Sequence, residues 1–291
     1  MGKLIKNNTL NQLDTQEWVK RLHSIQEYEW SIPSELKEHL HLGVLTPPPL
    51  AADIIRFFTM PGGQVFDPFA GEGGILVGAA MADRIGTGCD LYAENRETAA
   101  KVGAHYGFPP PNGWGMMQAD AVDWLKWLLE ERDGAETQDL LFTDAPWGID
   151  HGRTQDKGGS VPFAMAKSGS KTKPDLVKIG DVERPDIGTF KEYSHFYQYM
   201  GQVAHYADQL LKPGAYALFW FGDRHRGGKY RVIGAEAQGY IEETSTLRLK
   251  GVQHFIQKPL NVRRTVFGWG KAFVPLVDHF SLYIYRKEIK R

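Results

Sequence analysis

A chain of 291 residues, 42% hydrophobic and 24% charged, has the make-up of a globular protein that can bury a core without disulfides or a structural metal. Its single cysteine, Cys89, excludes an internal disulfide framework and a Cys-rich zinc site. Lying in an apolar run, Cys89 reads as a buried strand residue. The formal net charge of -1 gives no overall pull on polyanions, so any nucleic-acid contact has to come from a local basic face. No run is apolar over the about 18–20 residues a bilayer span needs. The polar opening MGKLIKNNTLNQLD lacks the apolar centre of a signal peptide, so a cytoplasmic protein without membrane contact is expected.

Residues 1–45 read as a small helical lead-in, with Trp18, Leu22 and Ile25 at helical spacing until Pro33 interrupts them. Thr46-Pro47-Pro48-Pro49 breaks the chain, and a short helix over 50–58 carries Ile54, Ile55 and Phe58 on one face. From there the rhythm is strand, turn, helix. Strand-like runs at 64–69, 86–91, 115–120, 139–146 and 215–222 alternate with helical segments at 75–83, 94–106 and 121–132. Two last strands, 240–250 and 280–286, have no clear helix between them and are expected to pair antiparallel. Residues 46–291 thus predict one α/β domain of Rossmann-like type: a mostly parallel seven-stranded sheet, helices on both faces and a C-terminal antiparallel pair. The stretch 149–190, rich in Gly, Lys, Ser, Asp and Pro, does not fit the rhythm and reads as a functional insertion above the carboxyl edge of the sheet.

Ligands of open α/β sheets bind beyond the carboxyl ends of the strands. There the first strand of the rhythm runs into Asp67-Pro68-Phe69-Ala70-Gly71-Glu72-Gly73-Gly74, a turn whose glycines let backbone approach a ligand. A dinucleotide fingerprint would place a third glycine where Leu76 stands, and Asp67 would repel a pyrophosphate. An ammonium group suits Asp67 better, which points to a zwitterionic or cationic ligand such as S-adenosylmethionine. Two further acids close the next two strands. Asp90, followed by Leu91, suits the hydroxyls of a ribose; Asp120, followed by Ala121, suits an adenine amine. Any one strand-end Asp is more often a cap or turn residue; three in register beside a glycine turn make a ligand set. His151, His195 and His225 have no metal-ligand spacing, and no metal is expected.

These residues resemble the class I S-adenosylmethionine-dependent methyltransferases, and among them the DNA amino-methyltransferases of the adenine-N6 and cytosine-N4 type. VFDPFAGEGG resembles their cofactor motif, TDAPWG at 143–148 their catalytic D-P-P-Y/W/F motif, LTPPPLAADII the segment before the cofactor motif, and LLKPGAYALFWFG their fifth strand. The likeness runs from about residue 45 to 222 and is specific at the two central motifs. It implies S-adenosylmethionine held by Thr46, Asp67, Pro68, Phe69, Ala70, Gly71, Gly73, Asp90, Leu91, Asp120 and Ala121. It also implies catalysis by Asp144, Ala145, Pro146 and Trp147. The Asp144 side chain and the Ala145 carbonyl would each accept one hydrogen of a base amine, and Trp147 would stack on a base flipped out of duplex DNA. Ala145 stands where the family has its first proline; the carbonyl is kept and a rigid residue lost. Asp at the first motif position implies adenine N6.

A basic rim for phosphates is expected from Arg153, Lys157, Lys167, Lys171 and Lys173 in the insertion. Within 223–276 it would draw on RHRGGKYR at 224–231, Arg248, Lys250, Lys258, Arg263 and Arg264, with Phe255, Phe267 and Trp269 interleaved. Other readings stay open. An RNA guanine-N2 methyltransferase shares both turns but commonly carries an RNA-binding domain for which 45 residues are too few. A non-catalytic nucleic-acid-binding subunit, a homodimer or a partner subunit, and a small-molecule methyltransferase are the others.

Overall fold

The computed structural model describes residues 8–40, 45–146, 176–226, 229–258 and 279–289. The N-terminal segment is only partly helical. An Asp14–Glu17 capping box starts α1 (Thr15–Arg21), which buries none of its residues and ends at Leu22. Ile25, expected on that helix, instead opens the strand β1 (Ile25–Glu29). Then come α2 (Pro48–Phe58), β2 (Gln64–Asp67), α3 (Gly74–Met81), β3 (Ile85–Asp90), α4 (Ala93–His105), β4 (Trp114–Gln118), α5 (Ala121–Glu130) and β5 (Gln138–Thr143). The end of the insertion is a hairpin, β6 (Leu176–Ile179) with β7 (Val182–Pro185). After it follow α6 (Tyr193–Leu210), β8 (Leu211–Phe221), a hairpin of β9 (Arg224–Arg226) and β10 (Lys229–Arg231), α7 (Ile233–Thr244), β11 (Leu247–Lys258) and β12 (His279–Lys287).

The main sheet has eight strands in the order β1-β11-β12-β8-β5-β2-β3-β4. The eighth strand, beyond the seven expected, is β1, which adds to β11 in parallel. β12 is antiparallel to both β8 and β11, which is the expected C-terminal pair. Residues 240–250, expected as one strand, divide differently: Ile233, Ala237 and Ile241 are buried at helical spacing, so α7 runs through Thr244 before β11 begins.

Strand alternation sends side chains to two cores. Phe66, Leu141, Phe219 and Phe221 pack with α5, α6 and α7, whereas Val65, Leu140, Phe142, Leu218 and Trp220 pack with α2 on the other face. Cys89 is fully buried in β3. From β2 the chain winds outward through β3 to β4, then returns to lay β5 on the other side of β2 and continues to β8. The winding therefore reverses between β2 and β5. The carboxyl ends of those two strands flank the crevice where sheets of this kind hold ligands.

Candidate active site

Asp67 ends β2, and Asp144 follows the last residue of β5, so the parallel pairing of the two strands brings both motifs to the switch point. Two side-chain bonds stitch three distant segments together there. Thr143 Oγ1 donates to Asp67 Oδ1 at 2.6 Å, and Thr46 Oγ1 donates to Asp144 Oδ2 at 3.0 Å. The Thr-Pro-Pro-Pro segment, expected to touch a cofactor, thus holds the candidate catalytic carboxylate directly. Ala145 is buried in the same cluster as Phe196, Met200 and Phe221, so packing anchors the position that lacks a proline. Trp147 lies outside the described residues.

The glycine turn owes its shape to close approaches. Gly71 and Gly73 have φ of +51° and +85°, values that side-chain-bearing residues rarely adopt. A Cβ on Gly74 would lie 2.1 Å from the Thr46 carbonyl oxygen, so the cofactor-type turn and the segment bearing Thr46 are in backbone contact. The Ala70 amide donates to the Cys89 carbonyl, and the Gly71 amide to Asp90 Oδ2 at 3.0 Å, joining the turn to the end of β3.

Asp67 is buried and accepts from the Phe69 amide and Thr143, both on Oδ1. Burial pushes its carboxyl up to about 7 against the two hydrogen bonds, with the charges of Asp144 and Asp90 adding to the rise. A carboxyl raised from 3.8 stabilises the fold fully below that value, and the contribution is lost as pH rises through about 7. We expect the urea midpoint of the ligand-free protein to fall over that window, and Asp67→Asn to flatten the fall. A midpoint curve unchanged by the substitution would show that another group titrates.

Asp90 Oδ1 accepts from the Tyr92 amide at 2.9 Å and Asn95 Nδ2 at 2.8 Å. Leu91 lends its carbonyl to Gln118. Asp120 caps α5 through the Val122 and Asp123 amides, and its Oδ2 accepts from the Tyr199 hydroxyl at 2.7 Å. A ligand amine at Asp120 would therefore share that oxygen with Tyr199. Pro68 and Ala121 are buried behind this layer, and the Phe69 ring stands 6.3 Å from that of Tyr199.

Several neighbours gave no signal in the sequence. Tyr199 comes from α6, a helix not marked by the strand rhythm. The insertion returns to the site through Asp186, whose Oδ2 accepts from the Tyr92 hydroxyl at 2.6 Å, and through Arg184, which pairs with Asp123. Tyr28 arrives on β1; burial first, and then the Asp144 charge, push its hydroxyl up to about 12. A strand-end carboxylate can be read from a sequence, but a tyrosine brought in by a distant helix cannot.

The basic residues do not share one edge. β11 runs parallel to β8, so Arg248 and Lys250 near its start lie at the amino edge, away from Asp144. Arg248 Nη1 donates to the carbonyls of Glu242, Ser245 and Leu247, closing the end of α7. That corrects the expectation of a single rim, and Phe255 is buried rather than interleaved on the surface. Arg224–Arg226 and Lys229–Arg231 follow the carboxyl end of β8, and Lys258, at that end of β11, pairs with Glu27 at 3.2 Å. Arg153, Lys157, Lys167, Lys171, Lys173, Arg263, Arg264, Phe267 and Trp269 lie outside the described residues.

Thr46→Val keeps the shape and removes the donor to Asp144. A bond to a charged acceptor at this site is worth about 1.5–3 kcal/mol, so turnover should fall roughly tenfold or more, and Thr46→Ser should restore most of it. Equal turnover in Thr46→Val and the parent protein would exclude a positioning role.

No protein-family model and no curated relative matches the sequence. Solved structures do. SMU.776, solved in complex with SAH, is 10% identical with a TM-score of 0.50, over 84% of this chain and 50% of that one. A SAM-dependent methyltransferase from Agrobacterium tumefaciens is 14% identical with a TM-score of 0.49, over 86% and 64%. TrmN from Thermus thermophilus is 14% identical with a TM-score of 0.45, over 86% and 52%. The chain thus spans about half the length of SMU.776 and TrmN. At such identities the likeness is one of fold: the chain has the Rossmann-like α/β fold of SAM-dependent methyltransferases. Among the described residues no helix is long and apolar enough to cross a membrane.

Proposed function

We propose that the protein transfers the methyl group of S-adenosylmethionine to the exocyclic amine of a base flipped out of DNA, adenine N6 above all. The observation that carries this reading is the placement of Asp144. Its carboxylate stands at the switch point, one residue past β5, and accepts from Thr46 Oγ1.

The residues present fit the cofactor. Asp67, at the end of β2, is assigned the ammonium group and Asp90, at the end of β3, the ribose. Asp67 next to an ammonium group would ionise, so cofactor affinity should rise with pH through about 7. When bound, the cofactor supplies an electrophilic methyl on a sulfonium. The protein does the rest. A base amine is a poor nucleophile because its lone pair is delocalised into the ring. Asp144 and the Ala145 carbonyl, each accepting one amine hydrogen, favour a pyramidal nitrogen and aim its lone pair at the methyl group. Trp147 is assigned the stacking face for the flipped base by its place in the turn, two residues after Ala145.

Sequencing the DNA of a host that expresses the chain, with detection of modified bases, tests this. N6-methyladenine in a defined sequence context is expected with the parent chain and not with Asp144→Ala. Modified guanine in RNA with untouched DNA would replace the DNA reading by the RNA one.

A further inference from the structure

Beyond the glycine turn, the same edge of the sheet carries a second built feature. α6 runs directly into β8, which is parallel to β5, so the first turn of α6 lies at the carboxyl edge with Asp144. α7 starts just after the β9–β10 hairpin that follows the end of β8, and its first turn lies at that edge too. Between the two is a shallow groove of about 440 Å³ lined by Lys191, Tyr193, Ser194, Tyr197, Arg231 and Tyr240, with Glu192 at its margin.

We infer that this groove is a subsite for one unstacked nucleotide of the strand that carries the target base; the inference rests on the nucleic-acid reading above. The groove is a layer of rings. Tyr193 stacks on Tyr197 with centroids 5.9 Å apart and planes 27° apart, and Tyr240 lies 5.6 Å from Tyr197. The Arg231 guanidinium stands over the Tyr193 ring at 4.7 Å. Aromatic faces beside a guanidinium plane are what an unstacked base finds favourable, whatever its identity.

The arrangement is set before any ligand arrives. Glu236 Oε2 accepts from the Tyr197 hydroxyl and from Arg231 Nη1, both at 2.7 Å, which locks ring and guanidinium relative to each other. Prior ordering of this kind lowers the entropic cost of binding. Glu236 also offsets much of the Arg231 charge, and Glu192 opposes Lys191. A polyanion is therefore not drawn here by net charge, and the subsite works by stacking. Lys229 and the exposed Tyr230 continue the surface along the adjoining hairpin. A nucleotide beside a flipped base has lost its own stacking partner, and this groove supplies one at the edge where Asp144 waits.

The test uses the full chain, a short fluorescein-labelled single-stranded DNA and fluorescence anisotropy. Tyr193→Leu and, as a second variant on the exposed side, Arg231→Gln should each weaken binding about tenfold. The salt dependence should change little, as stacking releases few counterions. Affinity for S-adenosylmethionine, measured by calorimetry, should stay unchanged. DNA binding equal to the parent in both variants would overturn the subsite while leaving the active-site reading intact, as would a parent protein that does not bind the oligonucleotide but still methylates duplex DNA. Tyr193-dependent oligonucleotide binding by a protein that methylates no nucleic acid would support the groove and overturn the active-site reading instead.

Discussion

Asp144→Ala is expected to lower methyl transfer by on the order of 10²–10³-fold or more while leaving cofactor affinity nearly unchanged. The carboxylate lies one residue past the end of β5, across the switch point from the glycine turn, and accepts from Thr46 Oγ1. Removing it takes away one of two acceptors that localise the amine lone pair, an interaction realised as the nitrogen becomes pyramidal. The loss should therefore fall on kcat rather than on KM. Asp144→Asn keeps the size and one acceptor oxygen, so it should retain more activity than alanine. Cofactor binding lost together with activity would place Asp144 in the cofactor site and contradict the role assigned to it.

Gly74→Ala should lower both stability and turnover. The added Cβ would lie 2.1 Å from the Thr46 carbonyl oxygen and 3.0 Å from its carbon, both backbone atoms. No side-chain rotation relieves that contact; α3 and the Thr46 segment have to separate. Overpacking of this sort costs about 1–3 kcal/mol, a fall in Tm of roughly 2–5 °C for a chain of this size. Separation also pulls Thr46 Oγ1 from Asp144, so turnover should drop beyond what the stability loss explains. Gly115→Ala is the control, because nothing lies within 4 Å of a Cβ there. Similar Tm and turnover in the two variants would remove the coupling between turn and catalytic carboxylate.

Much of the sheet could be read from the chain because its central strands are buried on both faces and bounded by turn residues. β2, β3, β4, β5 and β8 each fall within a few residues of the expected runs, and Asp67, Asp90, Asp120 and Asp144 fall at or just past their ends. What escaped was set by tertiary contact. β1 alternates exposed and half-buried residues, a pattern too weak to separate from a helix, and only pairing with β11 makes it a strand. α7 hid among small residues such as Gly234, whose lack of a side chain admits the Tyr283 ring. Asp120 was ambiguous in principle. A carboxylate that caps a helix and one that holds a ligand are the same residue at the same position, and only the Val122, Asp123 and Tyr199 donors reveal what Asp120 already does. The expected single basic rim failed for a topological reason: the two ends of β11 lie at opposite edges of the sheet.

Incubating the purified chain with methyl-labelled S-adenosylmethionine and duplex DNA, then digesting the DNA to nucleosides for mass spectrometry, tests the central claim most directly. Label on the N6 of deoxyadenosine, absent with Asp144→Ala, is the predicted result. A protein that binds the cofactor and labels no nucleic acid, or labels only RNA, would contradict it.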